Sequence, residues 1–170
     1  MKTTKKILLQ STLVLLLTNV SCNKSDVIPM GDHTFSCYIN GELFVPKGSS
    51  NVSTTPYNDG LFLVQHDNYY TVQARDYKEF TIYFVIVGWG VGTFSLSESN
   101  GFFAPSDPKD RNHAIVKKNG TVYLSKIGSG SVKFIVADKL GEVKATFDFT
   151  LYNENDENDI IHITNGQFDD

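Results

Sequence analysis

The chain has 170 residues, 41% hydrophobic and 12% aromatic, with 15 basic and 19 acidic side chains for a formal net charge of −4. That length suits one domain with a core of its own, and an acidic balance with scattered cations excludes a phosphate-backbone binder. Two cysteines, Cys22 and Cys37, do not make a disulfide framework, so burial has to hold the fold together.

Lys2, Lys5 and Lys6 form a basic start. Ile7 to Val20 follow as an apolar stretch broken by Gln10, Ser11 and Thr12, too short and too polar for a spanning helix. This is the pattern of an export signal, predicted over 1–21. Asn19-Val20-Ser21-Cys22 resembles a bacterial lipobox, in which a small residue precedes the cysteine that is acylated; Asn19 stands where leucine is usual. The resemblance implies a mature protein that begins at a lipid-bearing Cys22, anchored in the outer membrane and facing the periplasm or the cell surface. Without the three leading lysines, 12 basic side chains face 19 acidic ones, a net charge of −7. The basic residues then cluster only at Lys117-Lys118, so no nucleic-acid partner is expected. Residues 22–32 lack periodicity and are predicted to be a tether; 33–170 are predicted to be one all-β domain.

Phe35, Cys37 and Ile39 alternate with Ser36 and Tyr38. Asn40-Gly41 then supplies the positive-φ pair of a type I′ turn before the chain returns over Leu43 to Val45, placing Cys37 opposite Phe44. Cys37 is expected to be a buried apolar side chain. A second hairpin runs from Leu61 to His66, turns at Asp67-Asn68 and returns from Tyr69 to Arg75, with Leu63 opposite Val72 and Leu61 opposite Ala74. Phe80 to Val87 is apolar on both alternating sets, which predicts a central strand covered on both faces.

Further strands are predicted at Thr93 to Leu96, at Ala114 to Lys118 turning through Asn119-Gly120 into Thr121 to Ser125, and at Val132 to Ala137, Val143 to Tyr152 and Ile160 to Thr164. In the strand from Val143, Ala145, Phe147, Phe149 and Leu151 face inward while Thr146, Asp148 and Thr150 face outward. Gly128-Ser129-Gly130-Ser131 is expected to be a flexible turn. Roughly ten strands at this spacing predict a single antiparallel β-sandwich, with a closed lipocalin-like barrel as the alternative.

Gly92-Thr93-Phe94-Ser95-Leu96, Gly130-Ser131-Val132-Lys133-Phe134, Ala145-Thr146-Phe147-Asp148-Phe149 and the ending Ile163-Thr164-Asn165-Gly166-Gln167-Phe168-Asp169 occur in that order. The ordered set resembles a family of small uncharacterised β-rich lipoproteins of gut-type Gram-negative bacteria. That resemblance implies an anchored envelope protein and brings no catalytic residue with it.

His33, His66, His113 and His162 are scattered without metal-ligand spacing, and no nucleophile elbow is present, so no catalytic residue, metal or cofactor is expected. The acidic run from Asn153 to Asp159 offers oxygen ligands but lacks the spacing of a calcium loop and is expected to be a solvated hairpin connection. Asp148 and Asp59 are the carboxylates considered for sugar hydrolysis. Aromatic residues outside the strands are the candidate ligand contacts: Trp89, between Gly88 and Gly90, Tyr57 in the Lys47 to Gly60 loop, and Phe102 and Phe103 in the Glu98 to Asn112 loop. The expected function is non-catalytic binding or adhesion toward a glycan or protein. A lipocalin-like carrier of a small apolar ligand comes second, and a glycan hydrolase third.

Cys22→Ala is expected to shift the protein from the membrane fraction to a soluble or unprocessed form, because the acyl chains are its predicted hold on the bilayer. Fractionation of cells expressing the variant checks this. A processed variant that stays membrane-bound would refute it.

Overall fold

The computed structural model describes residues 33–48, 60–88, 90–101, 111–137 and 142–170. Within them the chain is strand, turn and bend, in the order β1 (Thr34–Ile39), β2 (Glu42–Phe44), β3 (Leu61–Gln65), β4 (Tyr69–Arg75), β5 (Phe80–Val87), β6 (Gly92–Ser95), β7 (His113–Lys118), β8 (Thr121–Leu124), β9 (Gly130–Ala137), β10 (Val143–Asn153) and β11 (Asp156–Asp169). Asn40-Gly41 joins β1 to β2 at φ 50° and 87°, and Asn119-Gly120 joins β7 to β8 at φ 49° and 90°. These are the two positive-φ positions that a two-residue hairpin loop needs. Cys37 lies opposite Phe44, Leu61 opposite Ala74 and Leu63 opposite Val72, all as predicted.

One antiparallel path runs β2-β1-β11-β10-β8-β7-β5-β4-β3, with β9 on β10 and β6 on β9. β10 folds this path over on itself. Its Val143 to Phe149 pair with β9, and its Tyr152 and Asn153 pair with Leu124 and Tyr123 of β8. The strand therefore begins in one layer, β2-β1-β11-β10-β9-β6, and ends against the other, β8-β7-β5-β4-β3, as strands do at the corners of packed sheets. The path stays open and the fold is sandwich-like, so the closed lipocalin-like barrel is not the architecture.

Aromatic rings fill the space between the layers. Phe84 of β5, fully buried, lies 5.2 Å from the Phe147 ring, 5.3 Å from Phe149 and 5.9 Å from Phe168. Tyr70 meets Phe134 at 5.9 Å and Phe44 meets Phe80 at 6.1 Å. β5 is covered on both faces as its sequence predicts: Ile82, Phe84 and Ile86 enter this core, while Tyr83 and Val85 join Tyr69 and Ile115 in a second cluster on the outer face. Cys37 is fully buried, and burial pushes its thiol well above its ordinary pKa. That is the inert apolar residue expected.

β11 is far longer than the predicted Ile160 to Thr164. Asn153 to Asp159 is not a loop: the chain turns at Glu154-Asn155 and Asp156 already belongs to β11. Side chains make so tight a turn feasible, since Asn153 Oδ1 accepts the Asn155 N–H at 2.9 Å and Asp156 Oδ1 accepts the Asn158 N–H at 3.0 Å. Further along, β11 shifts register against both β1 and β10 near Asn165-Gly166, which places a β-bulge there. Asn165 sits at φ 50°, and Asp148 Oδ1 accepts its N–H at 2.9 Å. The Phe147 ring occupies the space that a Cβ on Gly166 would need.

Gly130 also departs from expectation. Rather than lying in a flexible turn that would tolerate alanine, it opens β9 opposite Phe149. A Cβ there would press on the Asp148 carbonyl and come within 2.8 Å of Phe149 Cα. Gly130→Ala and Gly166→Ala are each expected to destabilise the fold by roughly 1–3 kcal/mol, the usual range for overpacking. Gly120→Ala meets nothing within 4 Å and bears only the left-handed strain, roughly 1 kcal/mol. Denaturant unfolding of the three variants tests that order.

Asp76 holds the turn from β4 into β5. Its Oδ1 accepts the backbone N–H groups of Lys78 at 2.9 Å, Glu79 at 2.9 Å and Phe80 at 3.0 Å. Burial works to raise its pKa, but these donors outweigh that and hold it below the usual 3.8. A depressed carboxyl stabilises the fold above its unfolded pKa, and the contribution disappears as pH falls through the folded value. Asp76→Ala is therefore expected to cost roughly 1–2 kcal/mol at neutral pH, as for other lost side-chain caps. The gap to the parent protein should close below the ordinary carboxylate range; melting curves across pH check both the size and the sign.

Candidate functional site

Where β10 leaves β9 and turns toward β8, its outer face loses a neighbouring strand. The Thr150 N–H still finds the Ser129 carbonyl at 2.7 Å, but the chain around Gly128 has already bent away, and a depression of about 390 Å³ opens at this corner. Asp148, Thr150 and Tyr152 of β10 line one side, His162 and Thr164 of β11 another, and Ser129 the rim. Their side chains point outward because Phe147, Phe149, Leu151, Ile161 and Ile163 alternate with them into the core.

Hydrogen bonds hold these groups in place. Thr150 and His162 are directly opposed in the ladder, with Thr150 Oγ1 and His162 Nδ1 3.3 Å apart. Asn40 Oδ1 accepts the His162 backbone N–H at 2.8 Å, tying the β1–β2 turn to the same edge. Ser129 Oγ accepts the Lys126 N–H at 3.0 Å. Lys126 Nζ lies 4.5 Å from the centre of the Tyr152 ring and 2.8 Å from Glu157 Oε1, so a cation–π contact and an ion pair fix the ring.

Beyond Tyr152 the acidic hairpin is organised as well. Asp159 Oδ2 accepts from Asn153 Nδ2 at 2.8 Å and from Tyr123 Oη at 2.9 Å. These two bonds, Asn153 first, lower the Asp159 carboxyl pKa. Burial and then Asp159 raise that of the Tyr123 phenol. Among the described residues no three His, Cys, Asp or Glu side chains converge as metal ligands.

Trp89, Tyr57, Phe102, Phe103 and Cys22 lie outside the described residues, as does Asp59. The flanks of two of these positions are described. Gly88 and Gly90 stand at φ 109° and 112° on either side of Trp89, and the Gly88 N–H reaches the Asn68 carbonyl at 2.9 Å. Ahead of Phe102, Ser99 N–H bonds the Ser125 carbonyl at 3.0 Å, and Gly101 comes beside the Leu124 side chain. Asp148, considered as an acid for hydrolysis, has one carboxylate oxygen committed to the Asn165 bulge.

Thr150, His162, Ser129 and Tyr152 are the residues that sequence reasoning did not single out as a site. The outward alternation of Asp148 and Thr150 was a usable signal. His162 could be set opposite Thr150 only by counting back from the tight turn at Glu154-Asn155, and that turn is hidden inside a run of acidic and amide residues that resembles a loop. Set against known proteins, the chain matches no protein-family model, no curated protein and no solved structure.

Proposed function

We propose that this is a lipid-anchored protein of the bacterial envelope whose β domain is a non-catalytic binding module, and that the β10–β11 depression takes a glycan. The observation that carries the reading is the depression itself: hydroxyl, carboxylate, imidazole and phenol groups from Thr150, Asp148, His162 and Tyr152 around an open hollow of about 390 Å³. Sugars present hydroxyl donors and acceptors together with apolar ring faces. A site with Thr150 and His162 to exchange hydrogen bonds and a Tyr152 ring fixed by Lys126 meets both needs. The ladder positions these groups without a loop to order, which lowers the entropic cost of binding. The lipid address rests on Met1 to Cys22 and the likeness to small envelope lipoproteins on the ordered segments from Gly92 to Asp169; both are supported by the sequence pattern.

A glycan array probed with the full chain, solubilised in an uncharged detergent, tests the proposal. Thr150→Val and His162→Ala are each expected to weaken the strongest signal by roughly tenfold, the size of one or two lost hydrogen bonds. Both side chains face outward, so the melting temperature should change by only a few degrees. An array with no signal above background, or one that both variants reproduce at parental strength, would overturn the assignment.

A further inference from the structure

The outer face of the other layer carries a second feature, independent of the depression. The ladder sets Arg75, Thr81 and Lys117 in one row, Arg75 opposite Thr81 and Thr81 opposite Lys117. Ala74 and Ile82, the neighbours in sequence, face the core, so the row faces outward. Adjacent strands lie about 4.8 Å apart, which puts the Arg75 and Lys117 backbones roughly 10 Å from one another with a hydroxyl between them.

Arg75 is held in a particular way. Its guanidinium carbon sits 4.6 Å from the centre of the Phe62 ring and 4.1 Å from that of Tyr77. Its Nε is buried with no hydrogen-bond partner among the described residues. No carboxylate comes within ion-pair distance of Arg75, Lys78 or Lys117 among the described residues, whereas Lys118, Lys126 and Lys144 all have acidic partners. Among the described residues the two nearby carboxylates are engaged: Asp76 on three backbone N–H groups, and Glu79 on Lys118 at 3.6 Å and Asn119 Nδ2 at 3.4 Å. In a chain of net charge −4, this outer face brings together three cations, Arg75, Lys78 and Lys117, and the two acids beside them among the described residues are already occupied.

Beside the row lies a hollow of about 250 Å³ lined by Tyr77, Lys78, Glu79, Thr81, Lys117 and Asn119, among others, with Arg75 next to its Tyr77 rim. The Tyr77 ring is 45% exposed, so it offers apolar surface at the rim. We infer that this face binds a sugar acid: Arg75 and Lys117 take the carboxylate of a uronic-acid unit, Thr81 and Asn119 its hydroxyls, and the Tyr77 ring lies along the sugar. A guanidinium packed against two rings keeps its planar fork ordered for a coplanar carboxylate, and its partial burial strengthens the pairing. Overall negative charge works against long polyanions but leaves a local cationic hollow able to take a single acidic unit or a short oligomer.

The test is isothermal titration calorimetry on the full chain in uncharged detergent, using a galacturonate oligosaccharide and its fully methyl-esterified form, in which each carboxylate is replaced by a neutral ester one methyl group larger. The acid form is expected to bind roughly tenfold tighter or more than the ester and to weaken with added salt. Arg75→Lys, which keeps the charge but loses the fork, and Lys117→Gln should each lower affinity for the acid form by roughly tenfold. Lys133→Gln, the same charge change on an exposed strand of the other layer, should not. Lys117 is exposed, so Lys117→Gln decides the matter even if Arg75→Lys unfolds. Equal binding of acid and ester, no binding of either, or a parental affinity in Lys117→Gln would overturn the inference. Tighter binding of a polyglutamate peptide than of the oligosaccharide would also overturn it, in favour of an acidic protein; complete competition by an equal concentration of acetate would do so in favour of a simple anion site.

Discussion

Contact between Phe84 and the rings of the opposite layer is the interaction on which the rest of this domain depends. One side chain on the central strand touches Phe147, Phe149 and Phe168, and Phe147 in turn packs on Phe35 at 5.2 Å. Rings of this size bury the largest apolar area per residue and favour tilted or edge-to-face geometries, as seen here. The only cysteine in the described core is a free, buried thiol. Cohesion therefore comes from area removed from water and from close packing, with no disulfide among the described residues.

That packing dictates local backbone structure. Phe147 takes the space beside residue 166, so a glycine stands there, and the bulge at Asn165 absorbs the extra residue that lets β11 pair on both sides while clearing the ring. The Asp148 carboxylate, on the opposite face of β10 from Phe147, then satisfies the N–H that the bulge leaves out of the ladder. Gly130 is subject to the same pressure from the β10 backbone. Bulge, Gly166 and capping carboxylate are one adjustment to a large ring on β10.

β10 also couples the fold to its surface chemistry. Because it belongs to one layer at its start and meets the other at its end, it creates both the closed core and the open corner. Inward residues at the corner are held by the core, which leaves the outward Thr150, Tyr152 and His162 rigid without a loop. The other layer achieves a similar result differently: its outer face, laddered without a bulge from β3 to β7, aligns Arg75, Thr81 and Lys117 by register alone. Two polar surfaces, one neutral to acidic and one cationic, thus lie on opposite sides of a single sandwich-like core.

The sequence by itself determined the local and periodic features. Asn-Gly pairs set two hairpins because few other residues accept consecutive positive φ; strict alternation set the inward faces of β4 and β10; two-sided apolarity marked β5 as central. Each of these depends on residues within a strand's length of one another, which is why they were legible. Only the tertiary structure decided what depends on distant residues. The length of β11 was concealed because its polar first turn is stabilised by side-chain to backbone bonds that mimic a loop composition. Gly130 looked like a turn residue and nothing marked Gly166, because what excludes a side chain at each is a backbone or ring on another strand. The open path, the corner at β10, the pairing of Thr150 with His162 and the row from Arg75 to Lys117 all follow from strand order, and strand order is set by which faces pack across the core, information that no single stretch of the chain contains.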